Sequence, residues 1–318
     1  MEKEHEIDRF FDSKINETDL IKSARRKSYL RIAGISFLIS ILVFILLILL
    51  KIQLTPYLIH NKIVAKELYY EIYGANSYVG VWAEDYRLIG SSATAPKYKL
   101  LNGRPVQIGE ISLNNSDNII DKVSLGNSEF EQFSYMGNRI MNFFHPLLQY
   151  KKYAHDLYEL DQLSDGKWIE MALSFDQAYT YDEVLAMLPK EVTLQWNWID
   201  IYSPEELAGW KMSDEMSEEY FKEQEVVGFP SISEDGKEIE NPMESFIETL
   251  ELSLNKGGAY KKEFEQIYHT LKGNQSSLTN ENIKIIGVVV VGDKQQLQSL
   301  LDKNYIQASS FGAIVDQY

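Results

Sequence analysis

The chain has 318 residues and carries 47 acidic against 31 basic side chains, a formal net charge of −16 at pH 7. A chain this acidic repels nucleic acids and other polyanions. We therefore expect no direct nucleic-acid ligand. The sequence contains no cysteine, which excludes disulfides, thiol catalysis and cysteine-ligated zinc. An apolar content of 45% with 20 tyrosines is typical of a folded chain.

The first 31 residues are predicted to form a cytoplasmic tail. Four apolar side chains stand at offsets 0, 3, 4 and 8, one stripe of a helix: Ile7, Phe10, Phe11 and Ile15. The first twenty residues also hold seven acids against three bases, so the segment is acidic and amphipathic. A tail this short cannot bury the stripe in itself. A basic protein groove suits it better than an anionic membrane leaflet, and a disordered tail with incidental phenylalanines is the alternative.

Residues 32–50 form an apolar run of nineteen residues without a charge. At about 1.5 Å per residue a helix of this length crosses the ~30 Å hydrocarbon core of a bilayer. The alternatives are a buried core helix, which would show a polar stripe, and a cleaved signal peptide, which would have a shorter run and a small-residue cleavage site. The run therefore predicts a permanent transmembrane helix.

A collar of basic residues precedes this run: Lys22, Arg25, Arg26, Lys27 and Arg31. Positive charge stays on the cytoplasmic side of a membrane, and long acidic domains are translocated regardless of their own charge. We therefore predict a single-pass protein of the cell membrane, with its N-terminus in the cytoplasm and its C-terminal part outside the cell.

Residues 51–154 are predicted to form a membrane-proximal extracellular region. Its first part, 57–73, has a helical pattern that continues from the membrane. From 75 to 150, short apolar stretches alternate with Gly, Asn, Ser and Pro, which indicates strands and loops.

Residues 155–318 are predicted to form a C-terminal α+β domain, and they begin with a β-α-β unit. In the stretch WIEMALSF, four apolar residues share one strand face: Ile169, Met171, Leu173 and Phe175. Thr180 starts a helix with a capping box to Glu183, and Pro189 ends it. The next strand, VTLQWNWID, is predicted to place four residues on one side: Val192, Leu194, Trp196 and Trp198.

A second β-α-β unit ends the chain. It follows an acidic insertion at 203–225, most simply a solvated helical face, and two helices at 243–254 and 259–272. The run IKIIGVVVVGD is typical of a strand buried on both faces, Asp293 caps a helix, and YIQASSFGAIVD returns as a strand. The fold class is therefore α+β, an α/β sandwich with two β-α-β units, for which a ferredoxin-like arrangement is one solution.

No catalytic motif accompanies this fold pattern. The five histidines are scattered, and metalloprotease, phosphate-binding-loop and nucleophile-elbow spacings are missing from the sequence. His145, between Phe144 and Pro146, is better explained as a structural residue than as a ligand. We therefore predict no enzymatic activity, no catalytic residue, no metal site and no cofactor.

Three stretches resemble the sigma factor regulators, single-span membrane anti-sigma factors of Gram-positive bacteria that hold extracytoplasmic-function sigma factors. They are RRKSYLRIAGISF, then WIEMALSFDQAYTYDEVLAMLP followed by VTLQWNWIDIY, and GVVVVGDKQQLQSLLDKNYIQASSFGAIVD. The resemblance implies that the tail sequesters such a sigma factor and regulates transcription. It also implies that the outside domain senses envelope stress and transduces that signal. Because the tail is short, a second small membrane protein is expected as a further partner.

Two readings from other classes stay open. In the first, the chain is an envelope binding or scaffold protein anchored by its single span, and deleting residues 1–20 would be nearly silent. In the second, it is a wall-active enzyme, which requires a cluster of carboxylates in an open cleft.

Overall fold

A computed structural model describes residues 17–87, 90–114, 120–121, 133–134, 136–212 and 220–318. The chain divides into two compact units, one ending at Tyr57 and the other comprising Leu58–Tyr318. The boundary predicted between residues 154 and 155 lies inside the second unit.

The N-terminal helix α1 comprises Glu17–Ile72, 56 residues with Pro56 inside it. It contains the apolar run at 32–50 and all but the last residue of the helix predicted at 57–73. The N-terminal unit consists, in the part that is described, of this helix up to Tyr57. The expected long apolar helix at the N-terminal end is thus confirmed.

The region 51–154 contains an antiparallel sheet, which confirms the strands predicted there. Its strands are β1 (Tyr78–Val79), β2 (Ala83–Tyr86), β3 (Ser91–Leu101), β4 (Arg104–Asn114) and β5 (Ile120–Asp121). They are ordered β1-β3-β4-β5, and β2 also pairs with β3. The turn of the β3–β4 hairpin is Asn102-Gly103, with φ of 51° and 77°. Both residues are left-handed, as a two-residue hairpin turn requires.

The remaining strands belong to a small ribbon and a larger sheet. They are β6 (Asn142–Phe143), β7 (Lys167–Tyr179), β8 (Thr193–Ile199), β9 (Phe221–Lys222), β10 (Gly228–Pro230), β11 (Ile285–Gly292) and β12 (Ile306–Asp316). β6 pairs with β9, and the larger sheet is ordered β10-β8-β11-β7-β12 with every pair antiparallel.

In the described residues, five further α-helices connect these strands. They are α2 (Tyr181–Met187), α3 (Pro204–Met212), α4 (Pro242–Lys256), α5 (Lys261–Lys272) and α6 (Lys294–Gln298). The predicted starts are confirmed: Thr180 caps α2 in a capping box with Glu183, and Asp293 caps α6 in one with Gln296. Each box satisfies two backbone N–H groups that the helix itself leaves unpaired.

Both predicted β-α-β units are present in split form. β7 and β8, joined through α2, each pair antiparallel with β11, which lies between them, so they run parallel to each other. β11 and β12, joined through α6, also run parallel to each other, because both pair antiparallel with β7, which lies between them. Two interleaved split units in one antiparallel sheet are compatible with the ferredoxin-like arrangement.

The main core lies on one face of the larger sheet. The four residues predicted to share a face of β7 all belong to this core and are buried: Ile169, Met171, Leu173 and Phe175. Helices α4 and α5 cover them with Phe246, Leu250 and Phe264 among others. All eight residues of β11 are buried, as its continuous apolar run predicts.

The single face predicted for VTLQWNWID is wrong. Val192 and Leu194 pack with the main core, but Trp196 and Trp198 lie in a separate cluster on the other side of the sheet. Leu194 and Trp196 pair with consecutive residues of β11, so Gln195 is an extra residue in β8. An extra residue is a β-bulge, and it reverses the alternation of faces along the strand.

Candidate functional site

The predicted sigma-binding stripe cannot be placed in the structure. Ile7, Phe10, Phe11 and Ile15 all lie outside the described residues, so their role stays a prediction.

The predicted basic collar lies on α1, immediately before the apolar run. All five of its side chains are exposed: Lys22, Arg25, Arg26, Lys27 and Arg31. Lys22 Nζ lies 4.0 Å from Asp19 Oδ1, a surface pair that contributes little. The collar is thus available to contact lipid head groups, while its effect on topology stays a prediction.

The apolar part of α1 is long and hydrophobic enough to cross a membrane. An 18-residue window has a mean hydropathy of 3.1, and none of it is buried within the protein. Large side chains such as Phe37 and Leu42 are 66% and 67% exposed. A soluble protein rarely leaves so large an apolar surface in water, so a single membrane span accounts for it.

The most unusual polar site in the folded unit is a buried ion cluster formed by Lys99, Glu170 and Glu223. The Lys99 Nζ atom lies 2.7 Å from Glu170 Oε2 and 2.7 Å from Glu223 Oε2. None of the three side chains is more than 4% exposed. Lys99 comes from β3, Glu170 from β7, and Glu223 follows β9, so the cluster joins the two sheets and the end of the acidic insertion.

Further N–H groups donate hydrogen bonds to both carboxylates. Glu170 Oε1 accepts a hydrogen bond from Asn76 Nδ2 at 2.7 Å, and its Oε2 accepts from the backbone N–H of Ala313 at 2.9 Å. Glu223 Oε2 accepts from the backbone N–H of Met141 at 3.0 Å. Buried charges are tolerated where such donors replace water, so the buried ion cluster is a built structural feature.

The pKa values of two neighbouring buried lysines are shifted in opposite directions. Burial disfavours charge on Lys99, but the carboxylates of Glu170 and Glu223 outweigh it and hold the Lys99 pKa above its ordinary value. Lys97, two residues earlier on β3, is equally buried, and burial lowers its pKa to about 7 despite attraction to Glu223. Its Nζ lies 4.3 Å from the centre of the Tyr70 ring.

The buried ion cluster was not anticipated from the sequence. Glu223 falls in the insertion expected to be a solvated face, yet it is 3% exposed. The available signal was Glu170, a lone acid inside the apolar strand WIEMALSF, but the position of its partner could not be found from local pattern. Within the described ranges, no three His, Asp or Glu side chains are placed to hold a metal ion.

His145 has the structural environment that the sequence suggested. Its side chain is fully buried, and its Nδ1 accepts a hydrogen bond from the backbone N–H of Leu147 at 3.2 Å. The proton therefore lies on Nε2, which faces Asp200 Oδ1 at 3.5 Å. The ring also contacts Trp198 and Tyr202, so His145 fixes packing beneath the larger sheet.

The fold thus consists of an α+β domain carried on a long apolar helix. Residues 160–313, from before β7 into β12, match the family model described as sigma factor regulator C-terminal. The chain therefore carries the C-terminal domain of the sigma factor regulator family, and the predicted resemblance is confirmed over these residues. The match over these residues indicates an anti-sigma role and a sigma factor as partner. Comparison with curated proteins and with solved structures gave no match.

Proposed function

We propose that this chain is a membrane-bound anti-sigma factor that sequesters an extracytoplasmic-function sigma factor through its N-terminal tail. One observation carries the proposal: a sigma factor regulator domain is connected in one chain to an apolar helical segment that is not buried within the protein. A sigma factor acts in the cytoplasm, so a regulator held in the membrane must reach it with a cytoplasmic segment.

The charge distribution supports an N-terminus in the cytoplasm. The five exposed basic residues of the collar precede the apolar run, and residues 51–318 carry 40 acidic against 23 basic side chains. Under the positive-inside rule the collar stays in the cytoplasm and the folded unit lies outside. In that orientation residues 1–31 are the cytoplasmic part.

The tail's apolar stripe is the proposed contact with the sigma factor. Four buried side chains at about 1.5–3 kcal/mol each would contribute several kcal/mol, reduced by the cost of ordering the tail. The acids beside the stripe match a basic surface, which proteins that bind nucleic acid provide. A short tail covers a small area, which is why a second small membrane protein is part of the proposal.

The outside unit is proposed to respond to the state of the envelope without catalysing a reaction. Several of its buried polar residues form the ion cluster and the His145 contacts, and these interactions hold the fold. A binding event or a cut in this unit would then reach the tail through the membrane helix.

The decisive experiment compares two double variants of the full chain in cells that carry a reporter for the cognate promoter. Phe10→Ala with Phe11→Ala removes the two largest anchors of the stripe and should weaken sigma binding about a hundredfold, which raises transcription. Ser13→Ala with Asn16→Ala alters the opposite side of the predicted tail helix and should leave transcription repressed.

Two results would contradict the proposal. Unchanged transcription in the first variant, with the protein present in the membrane at normal amounts, would show that the stripe does not bind the sigma factor. If deletion of residues 1–20 is also silent, the chain anchors a binding or scaffold domain and regulates no sigma factor through its tail.

A further inference from the structure

A cavity of about 400 Å³ opens in the unit Leu58–Tyr318, between the end of α1, the turn at 232–238 and α4. Its volume lies in the range of small-molecule sites. Five aromatic residues line it and supply its apolar walls: Tyr70, Tyr78, Trp196, Phe229 and Phe246. The lining contains none of the three residues of the buried ion cluster, but it includes Asn76, which donates a hydrogen bond to Glu170.

Three carboxylates line this cavity. Glu67 and Glu71 stand one turn apart on α1, and Glu234 reaches it from the turn at 232–238. Each of the first two has one protein donor: Trp82 Nε1 donates to Glu67 Oε1 at 3.0 Å, and Thr249 Oγ1 donates to Glu71 Oε2 at 3.1 Å. A carboxylate accepts several hydrogen bonds, so both retain capacity for a ligand.

No compensating cation belongs to the lining. Among the described residues that line the cavity, none is Lys, Arg or His. Lys66 and Lys97 contact the ring of Tyr70 with their Nζ atoms 4.7 Å and 4.3 Å from its centre, but neither lines the cavity. Partial burial and the nearby charge of Glu67 raise the pKa of Glu234, which is the response of a carboxylate that lacks a cationic partner.

A buried acceptor without a partner lies in the same lining. Asn76 is fully buried, and its Nδ2 donates to Glu170 Oε1 at 2.7 Å and to the backbone carbonyl of Leu100 at 3.3 Å. Both partners are acceptors, which fixes the orientation of the amide. Asn76 Oδ1 then has no hydrogen-bond partner in the described structure. This oxygen is closed off from the cavity, so the ligand site is formed by the other lining residues.

We propose that this cavity binds a small primary amine with an aromatic or aliphatic body. The ammonium group lies among Glu67, Glu71 and Glu234, and the body contacts the aromatic walls. Carboxylates attract the charge, while Tyr and Trp faces favour both an apolar body and a cation. The site is independent of the tail, so its failure would leave the sigma-binding proposal intact.

The test is calorimetric titration of the full chain, in nanodiscs of zwitterionic lipid, with phenethylamine, and with empty nanodiscs as the blank. We expect saturable binding to one site at millimolar concentration or below. Two probes of similar size lack the positive charge, neutral 3-phenylpropanol and anionic 3-phenylpropionate, and should bind at least about tenfold more weakly.

Single variants assign the binding to this cavity. Glu234→Lys lies in an exposed turn, so it should fold normally, and it places an ammonium group where the ligand's is expected; affinity should fall more than about tenfold. Glu71→Gln keeps the shape of the side chain and should weaken binding about fivefold to tenfold. Glu244→Gln, an exposed acid on α4 outside the lining, is the matched control and should bind as the unaltered chain does.

Each of the following results would contradict the proposal. No saturable binding of phenethylamine by the folded chain would overturn it, as would equal affinity for 3-phenylpropionate. Equal affinity of the Glu234→Lys and Glu244→Gln variants, with matching melting temperatures, would place the amine elsewhere on the protein.

Discussion

Two buried lysines on one strand should respond in opposite directions to the same substitution. Lys99 lies 2.7 Å from two carboxylates, whereas burial lowers the pKa of Lys97 to about 7. Replacing either residue with Met keeps a long unbranched side chain and removes only the amino group. The structure therefore provides its own matched control, two positions apart on β3.

The expected free energies follow from burial and ion pairing. Lys99→Met leaves Glu170 and Glu223 as buried carboxylates without their cation, and loss of one partner of a buried ion pair costs about 3–5 kcal/mol. Lys97 must release its proton when the chain folds at pH 8, which costs about 3 kcal/mol from the difference between an unfolded pKa of about 10.5 and the folded value. Lys97→Met removes that cost and should be neutral or stabilising.

The measurement is urea unfolding of the full chain in detergent micelles at pH 8, followed by tryptophan fluorescence. With a slope of about 2 kcal/mol per M, Lys99→Met should lower the midpoint by roughly 1.5–2.5 M, and Lys97→Met should leave or raise it. Equal losses in the two variants would refute the reasoning, because they would show that burial alone, and not the paired carboxylates, sets the contribution of Lys99.

Three further predictions test the same region and its surroundings. Because the unfolded chain binds the Lys97 proton more tightly, stability of the unaltered protein should rise by about 2 kcal/mol from pH 7 to pH 9, and Lys97→Met should remove that rise in urea melts at each pH. Gly312→Ala would place a Cβ atom 2.2 Å from Glu170 Oε2 and should cost at least about 2 kcal/mol in thermal unfolding, whereas Gly209→Ala, inside α3 with open space around it, should be neutral or stabilising by up to about 1 kcal/mol. Asp293→Ala removes the cap of α6 and should cost about 1 kcal/mol by urea unfolding, and no loss would show that the capping box contributes nothing.

Local pattern predicted most of the regular elements because its causes are local. The capping residues Thr180 and Asp293 each interact with a residue three positions later in the chain. The alternation of apolar residues in β7 reflects a strand that lies between the main core and a second layer. The Asn102-Gly103 pair is an equally local signal for a hairpin. The two β-α-β units could also be predicted in the correct chain order. The strand that lies between the two strands of each unit could not be predicted locally, because strand pairing is a property of the whole sheet.

The failures have non-local causes. Nothing in VTLQWNWID marks Gln195 as an extra residue, because the bulge is defined against β11, about ninety positions away. Glu170 and Lys99 are separated by 71 residues and Lys99 and Glu223 by 124, so neither partner could be chosen from sequence spacing. The proposed amine cavity likewise combines residues from α1, a distant turn and α4.

The buried ion cluster also bears on how much of the chain is needed for the regulator domain to fold. The family match begins at residue 160 and contains Glu170 and Glu223, but Lys99 and Asn76 precede it. A chain cut at the predicted boundary after residue 154 would retain two buried carboxylates and lose their ammonium partner. Since an uncompensated buried charge costs several kcal/mol, comparable to the whole stability of a domain, we infer that 58–318, and not 155–318, is the unit that folds. Any signal that loosens the first sheet would then act directly on the regulator domain.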